Sequence, residues 1–321
     1  MTLSRLVRID NRGTDDPYLN LALEEYLVRE RRDGDFLLLY VDRPTVVIGK
    51  HQDICSEVGP IGLDARNGVG LVRRLSGGGT VYHDHGNINV SIVTDHHPPR
   101  HNRYDPFVAP VIATLERFGV TARLNGRNSL LLDDGRKISG NAQFASRGRM
   151  ISHGTLLHST NLERLSEAIT SRFDVVATTG VPSIRSTVAN LSEVLDPTTT
   201  IDELIEALEI AYTGSRSSMM TLDEREWDEI ARLAREKYES WEWTFGRSPR
   251  TEVRHPGRGG TIITLVVDHG IVADVRIEQE PQGSVPVDPS LRSLIGRRFF
   301  EPGVGTVLDE LDRTQQREEQ K

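Results

Sequence analysis

The sequence predicts an α+β fold, with a mixed, mostly antiparallel sheet flanked by helices and a small C-terminal α+β accessory domain. Three observations carry this. Strand-sized and helix-sized patterns alternate irregularly, without a steady βαβ rhythm. Hairpin signals recur, as at Asp134-Gly135 and Asp268-His269-Gly270. Helical patterning gives way to a hairpin after Gly246-Arg247-Ser248-Pro249, which divides the 321 residues into units 1–246 and 250–321.

Asp15-Asp16-Pro17 opens the first helix, in which Leu19, Leu23, Tyr26 and Leu27 recur at helical spacing. Residues 36–41 and 45–48 read as buried strands around the turn Asp42-Arg43-Pro44. Residues 71–75 form another strand, and a further one runs from Thr80 onward. In the latter, Ile88, Val90 and Ile92 alternate with Asn87, Asn89 and Ser91. Its polar face continues a glycine loop and is read as a binding wall. Helices are expected over 105–118, 163–173, 201–212 and 222–238, the last with an apolar stripe of Trp227, Ile230, Leu233 and Ala234. Strands are expected over 130–132, 136–138, 151–158, 261–267 and 271–277. A short helical tail ends in the charged run 313–321, read as solvated.

Hydrophobic residues (37%) suffice for a packed core, and a net charge of -8 argues against coating nucleic acid. Cys55 is the sole cysteine, so neither an intramolecular disulfide nor a zinc ribbon can form. The first residues lack a secretory apolar core, and no aliphatic run reaches membrane-spanning length. A cytoplasmic protein is expected, without membrane or nucleic-acid partners. His96, His97 and His101 are interrupted by Pro98 and Pro99, so they read as a surface loop, not a metal site.

The chemistry concentrates in Arg73-Arg74-Leu75-Ser76-Gly77-Gly78-Gly79-Thr80-Val81-Tyr82-His83-Asp84. Three glycines let an anion press against backbone N–H groups, and paired arginines supply charge. The spacing is neither G-x-G-x-x-G nor a Walker G-K-[ST]. Two further segments belong with it: Gly126-Arg127-Asn128-Ser129 with 137–143, and Ser152-His153-Gly154-Thr155. Lys137, followed by Ser139-Gly140, could neutralise a carboxylate approaching a phosphate. His153 suits either a hydrogen-bonded core histidine or a direct ligand.

These runs, with Pro182-Ser183-Ile184-Arg185-Ser186-Thr187 and Ser240-Trp241-Glu242-Trp243-Thr244-Phe245-Gly246, resemble the lipoate–protein ligase A family over nearly the whole chain. The resemblance implies lipoate activation by ATP to lipoyl-AMP, then transfer to a lysine of a lipoyl domain. Such acceptors would be E2 subunits of 2-oxoacid dehydrogenases and the glycine cleavage H protein. ATP and Mg²⁺ would be co-substrates, with no resident prosthetic group, and the protein a monomer. Lys137 would be catalytic, holding the activated carboxyl and the α-phosphate. ATP and lipoyl-AMP contacts would fall on Arg74, Ser76, Gly77, Gly78, Gly79, Thr80, Val81, Tyr82, His83, Asn87, Asn128, Lys137, Ser139, Gly140, Ala142, His153, Gly154, Thr155 and Arg185. The small C-terminal unit would move about a hinge at 246–249.

One departure concerns the metal, whose ligands the sequence leaves unknown. The family's aspartate after Gly-Arg-Asn is Ser129 here, which brings no charge to a hard cation. Two other readings compete. An ATP-independent octanoyl or lipoyl transferase needs a thiolate near the lysine, and only Cys55 could supply it. A non-catalytic lipoate or lipoyl-domain binder would need no phosphate site.

Overall fold

In the computed structural model the described residues are 6–63, 67–97, 102–215, 219–279, 283–287, 289–301 and 305–307. Asp16 caps the first helix, α1 (Pro17–Glu30), accepting the N–H groups of Tyr18 and Leu19, with Pro17 at its first position. The Asp16 carboxylate also takes Arg43 Nη1 at 2.8 Å. Asp16→Ala should therefore cost about 1 kcal/mol of stability, read as a lowered urea midpoint with an unchanged m-value.

The main sheet has seven strands in the order β1-β2-β6-β10-β9-β8-β7. These are β1 (Val7–Arg8), β2 (Phe36–Tyr40), β6 (Asn87–Asp95), β7 (Ala122–Leu124), β8 (Ser129–Leu132), β9 (Lys137–Ser146) and β10 (Arg149–Leu157). All pairings are antiparallel except β1 with β2. Period-two alternation gives this sheet two different faces. Leu37, Leu39, Ile88, Val90 and Ile92 pack on one side with residues of α4 (Asp105–Arg117) and α6 (Ile201–Thr213). Leu38 and Tyr40 face the other side, in the core built around α1.

The expected strand from Thr80 onward is two strands in different sheets. The turn at Asp84, where Gly86 N–H bonds the carboxylate and Asn87 N–H the carbonyl, separates them. The first piece, β5 (Val81–His83), joins β3 (Thr45–Ile48) and β4 (Gly70–Arg73) in a three-stranded sheet of order β4-β3-β5. The polar face of β6 is not solvated: Asn87, Asn89 and Ser91 are all buried.

Three short helical elements, α2 (Ile54–Glu57), α3 (Pro60–Leu63) and α5 (Leu162–Ile169), flank this small sheet. The expected helix 222–238 ends early as α7 (Glu224–Leu233) and continues as a π-helical turn, Ala234–Tyr238. That wider turn delivers both Lys237 Nζ and the Tyr238 hydroxyl to the buried Glu25 carboxylate, at 2.6 and 2.7 Å from Oε2. The next turn, α8 (Trp241–Thr244), leads into a five-stranded sheet of order β11-β12-β13-β14-β15, whose first strand comes from earlier in the chain.

Two of these strands were not expected from sequence: β11 (Asp174–Thr178) and β12 (Thr251–Pro256). The expected hairpin is β13 (Thr261–Asp268) and β14 (Ile271–Gln279), with β15 (Gly283–Val285) at the edge. A four-residue helix, α9 (Pro289–Arg292), and a pair of two-residue strands, β16 (Phe300–Glu301) and β17 (Gly305–Thr306), follow. The charged run 313–321 and residues 98–101 of the histidine loop lie outside the described residues. No described helix is long and apolar enough to cross a membrane.

Candidate active site

The loop between β4 and β5 is held by Arg74, whose guanidinium is buried beneath it. Nε–H bonds Ser76 Oγ (3.0 Å), Nη1 the carbonyl of Val47 (3.1 Å), and Nη2 the carbonyls of Gly77 (2.6 Å) and Gly79 (2.8 Å). Most of its fork is thus spent shaping the loop. Burial pushes this guanidinium down to about 10, against the opposing charge of Glu24. Gly78 has φ +89°, and a Cβ on Gly49 would sit 2.1 Å from the Gly78 carbonyl. Both positions require glycine.

Below the loop a chain of hydrogen bonds runs into the core. Ser76 Oγ lies 2.7 Å from His153 Nε2, and His153 Nδ1 lies 2.9 Å from Glu24 Oε2. Glu24 also accepts the Tyr40 hydroxyl at 3.0 Å. Burial works to raise the Glu24 carboxyl, but His153's charge and the hydrogen bonds of His153 and Tyr40 outweigh it and hold it low. A second dyad lies nearby, His83 Nδ1 with Asp42 Oδ2 at 2.7 Å. Asp42 also accepts Asn20 Nδ2 at 2.8 Å.

Two cavities meet at this loop. The first, about 460 Å³, is lined by Leu21, Tyr40, Val47 and Asn89 and by thirteen sequence-predicted residues: Arg74, Gly78, Gly79, Thr80, Val81, His83, Asn128, Lys137, Gly140, Ala142, His153, Gly154 and Thr155. The second, about 400 Å³, is more apolar, with Leu157, Leu162, Leu165, Ile169 and Val188. Tyr82, Ser139 and Arg185 open on this second cavity and not on the first. Ser76, Gly77 and Asn87 line neither; Asn87 Nδ2 instead donates to Asn89 Oδ1 at 3.1 Å.

Thr80, Val81, Lys137, Gly140, Thr155, Ser183, Ile184 and Ser186 border both cavities. Lys137 is tied through its backbone, its N–H to the Thr187 carbonyl and its own carbonyl to Ala189 N–H. Its Nζ has no hydrogen-bond or ion-pair partner among the described residues, and lies close over Gly140. Burial, then the charge of Arg74, lowers the ammonium's pKa from its ordinary 10.5. An unpaired, largely buried cation invites an anion. If protonated Lys137 is the active form, kcat/KM for its reaction should fall on an alkaline limb that sets in below 10.5. Lys137→Arg should move that limb upward, since arginine keeps its proton.

Sequence reasoning did not single out Glu24, Asp42, Gln52 or Glu57 at this site. A faint signal existed for Glu24 and Glu25, which interrupt the buried side of an apolar helix. Glu57 and Gln52 carry none, because only the tertiary fold brings them to Thr80 and Ser183. Ser183 accepts the Thr80 N–H on its Oγ at 2.9 Å and donates its own N–H to Glu57 Oε1 at 2.9 Å. Around Ser129, Asn125 Oδ1 accepts the N–H groups of Arg127 and Ser129, and the cavity wall there holds Arg127 but no carboxylate. That corner does not suit a divalent cation. Cys55 is buried in the core beside Val46 and Ile54, where burial and the charge of Asp53 push its thiol well up. It lines neither cavity.

The family model of the lipoyl protein ligase A/B catalytic domain matches residues 16–213. Lipoate-protein ligase LplJ of Bacillus subtilis is 38% identical, over 94% of this chain and 93% of its own. Among solved structures, the bi-partite lipoate protein ligase of Thermoplasma acidophilum, determined with its E2 lipoyl domain as an archaeal lipoylation system, superposes with a TM-score of 0.62. It is 27% identical and covers 76% of this chain and 96% of that one. Lipoate-protein ligase A bound with ATP gives 0.59 at 28% identity, over 74% and 96%. The chain belongs to the lipoyl protein ligase A/B catalytic-domain family and is an enzyme of the lipoate–protein ligase type.

Proposed function

We propose that this ligase condenses lipoate with ATP in the paired cavities and passes the lipoyl group to a lysine of a lipoyl domain. The observation that carries this reading is Lys137 Nζ, a cation with no partner among the described residues, on the wall shared by the two cavities. An acyl-adenylate has two arms joined at one phosphate, and two cavities joined at one cation match that shape. The larger, more polar chamber, lined by Arg74, Val47 and His83, takes the lipoyl arm. The chamber walled by Leu162, Leu165, Ile169 and Val188 takes the adenosine.

In the first step a lipoate carboxylate oxygen attacks the α-phosphorus and pyrophosphate leaves. Lys137 offsets the repulsion of the two anions and stabilises charge on the α-phosphoryl oxygens. Mg²⁺, when bound, neutralises the leaving pyrophosphate. In the second step an acceptor lysine's amine attacks the acyl carbon, the acyl–oxygen bond to AMP breaks, and the amine's extra proton passes to solvent. The acceptors are lipoyl-domain proteins such as E2 subunits and the H protein. Units 1–246 and 250–321 act as the catalytic and accessory parts, hinged at 246–249.

A cysteine-based transfer has no thiolate at this site, since Cys55 is buried away from both chambers. Lipoate-dependent exchange of labelled pyrophosphate into ATP tests the first step directly. Exchange is expected with lipoate and not without it. Its absence, with ATP still bound, would leave a binder.

A further inference from the structure

Beside the glycine loop, four oxygen-bearing side chains converge on one point. The Thr80 hydroxyl lies 2.9 Å from Gln52 Oε1 and 3.2 Å from Glu57 Oε2, sharing one proton between them. Ser183 Oγ also bonds Glu57 Oε2 and takes Gln52 Nε2 at 2.9 Å. Glu57 is 6% exposed, and its carboxylate has no cationic partner among the described residues. Glu57, Thr80 and Ser183 all border the second cavity, together with Lys137.

This placement is costly for a site that takes a polyphosphate. Neutral donors from Ser183 and Thr80 bind the Glu57 carboxylate but leave its charge in place, so it repels nearby phosphate oxygens, strongly where water is scarce. The conflict disappears if a divalent cation sits between the two. Mg²⁺ needs only one or two carboxylates, completing its shell with hydroxyls, waters and substrate phosphates. A hydroxyl that directly follows a glycine-rich phosphate loop, paired with a carboxylate from a separate element, is how unrelated nucleotide sites hold Mg²⁺. Thr80 follows Gly77-Gly78-Gly79, and Glu57 comes from α2.

We propose that Glu57, with the Thr80 hydroxyl as a second oxygen ligand, holds the divalent cation that accompanies the nucleotide, while Gln52, whose Oε1 accepts the Gly49 N–H at 2.8 Å, orients Thr80. This replaces the corner at Ser129, which offers no carboxylate. The inference rests on the ATP-dependent reading above. It assigns Glu57 to the metal and leaves Lys137 to the α-phosphate and acyl carboxylate.

The test uses Mn²⁺ as the probe with the full chain and ATP, without lipoate so that no turnover occurs. Free Mn²⁺ is followed by electron paramagnetic resonance, and metal-free ATP binding by calorimetry. Glu57→Gln is expected to weaken Mn²⁺ binding in the presence of ATP at least tenfold, while metal-free ATP binds as well as before or more tightly. Unchanged Mn²⁺ affinity in Glu57→Gln would overturn the proposal. Should that variant unfold, Fe²⁺-driven oxidative cleavage of the wild-type chain, with ATP and peroxide, gives the answer. Cuts near residues 52–57 and 80 are expected, whereas cuts confined to 125–129 would contradict it. A wild-type chain that binds no ATP would strike the ligase reading itself.

Discussion

Lys137→Ala is expected to lower lipoate-dependent ATP–pyrophosphate exchange by about a hundred- to a thousand-fold, the usual cost of losing one preorganised charge at a developing anion. The loss should appear in kcat more than in the KM for ATP, because the ammonium acts where two anions meet and most of the nucleotide binds elsewhere. The cavity geometry gives this expectation its force. Nothing else among the described residues of the shared wall carries a positive charge: Thr80, Val81, Gly140, Thr155, Ser183, Ile184 and Ser186 are its other members. Arg74 is close enough to depress Lys137, but its fork is committed to the loop carbonyls. Near-normal exchange by Lys137→Ala would remove it from the chemistry.

The second large effect is on stability, at the neighbouring arginine. Arg73 is fully buried and makes no ion pair among the described residues; its donors go to the carbonyls of Gly49 (3.0 Å), Gln52 (2.7 Å) and Thr244 (2.9 Å) and to Ser248 Oγ (3.1 Å). Trp243 Nε1 bonds back to the Arg73 carbonyl at 2.7 Å. One side chain thereby ties the glycine-loop strand to the 49–52 turn and to the segment before β12. Burial pushes its guanidinium down to about 10, with Asp53 opposing that fall and Arg247 and Arg74 adding to it. Even so it stays charged at neutral pH. Arg73→Leu should cost about 4 kcal/mol, because several buried carbonyls lose their donor at once. The urea midpoint would register it. The same change at Arg123, an exposed residue on β7, should shift stability by about 0.5 kcal/mol or less.

The contrast between Arg73 and Arg74 also marks how far the sequence could be read. Glycines, paired arginines and a lysine before Ser-Gly are local patterns, and they located the loop, the lysine strand and the His153 strand. The α+β class followed from periodicity and turn residues in the same way. What one residue does against another was not legible. Two adjacent arginines look alike in sequence, yet one shapes the loop and the other fastens the loop strand to Thr244 and Ser248. The polar face of β6 could equally have faced water until α1 was seen to cover it with Glu24.

Strand pairing over long separations was the weakest part. β11 and β12 lie more than seventy residues apart, at Asp174↔Arg254 and Thr178↔Thr251, and β12, though it alternates in burial, has Val253 as its one aliphatic residue. Glu57 and Gln52 were invisible for a related reason. Their meaning comes from Ser183 and Thr80, which only the tertiary fold delivers. Ser183 was in view as part of a loop, but its contact with Thr80 N–H was not.

The central claim is that ATP, and not a thioester, drives acyl transfer at these cavities. Intact-mass measurement of a purified lipoyl domain, incubated with this protein, lipoate, Mg²⁺ and ATP, tests it most directly. A lipoyl mass increase on one lysine that disappears when ATP is omitted is the expected result. The same increase without ATP, or its loss in Cys55→Ser, would contradict the account.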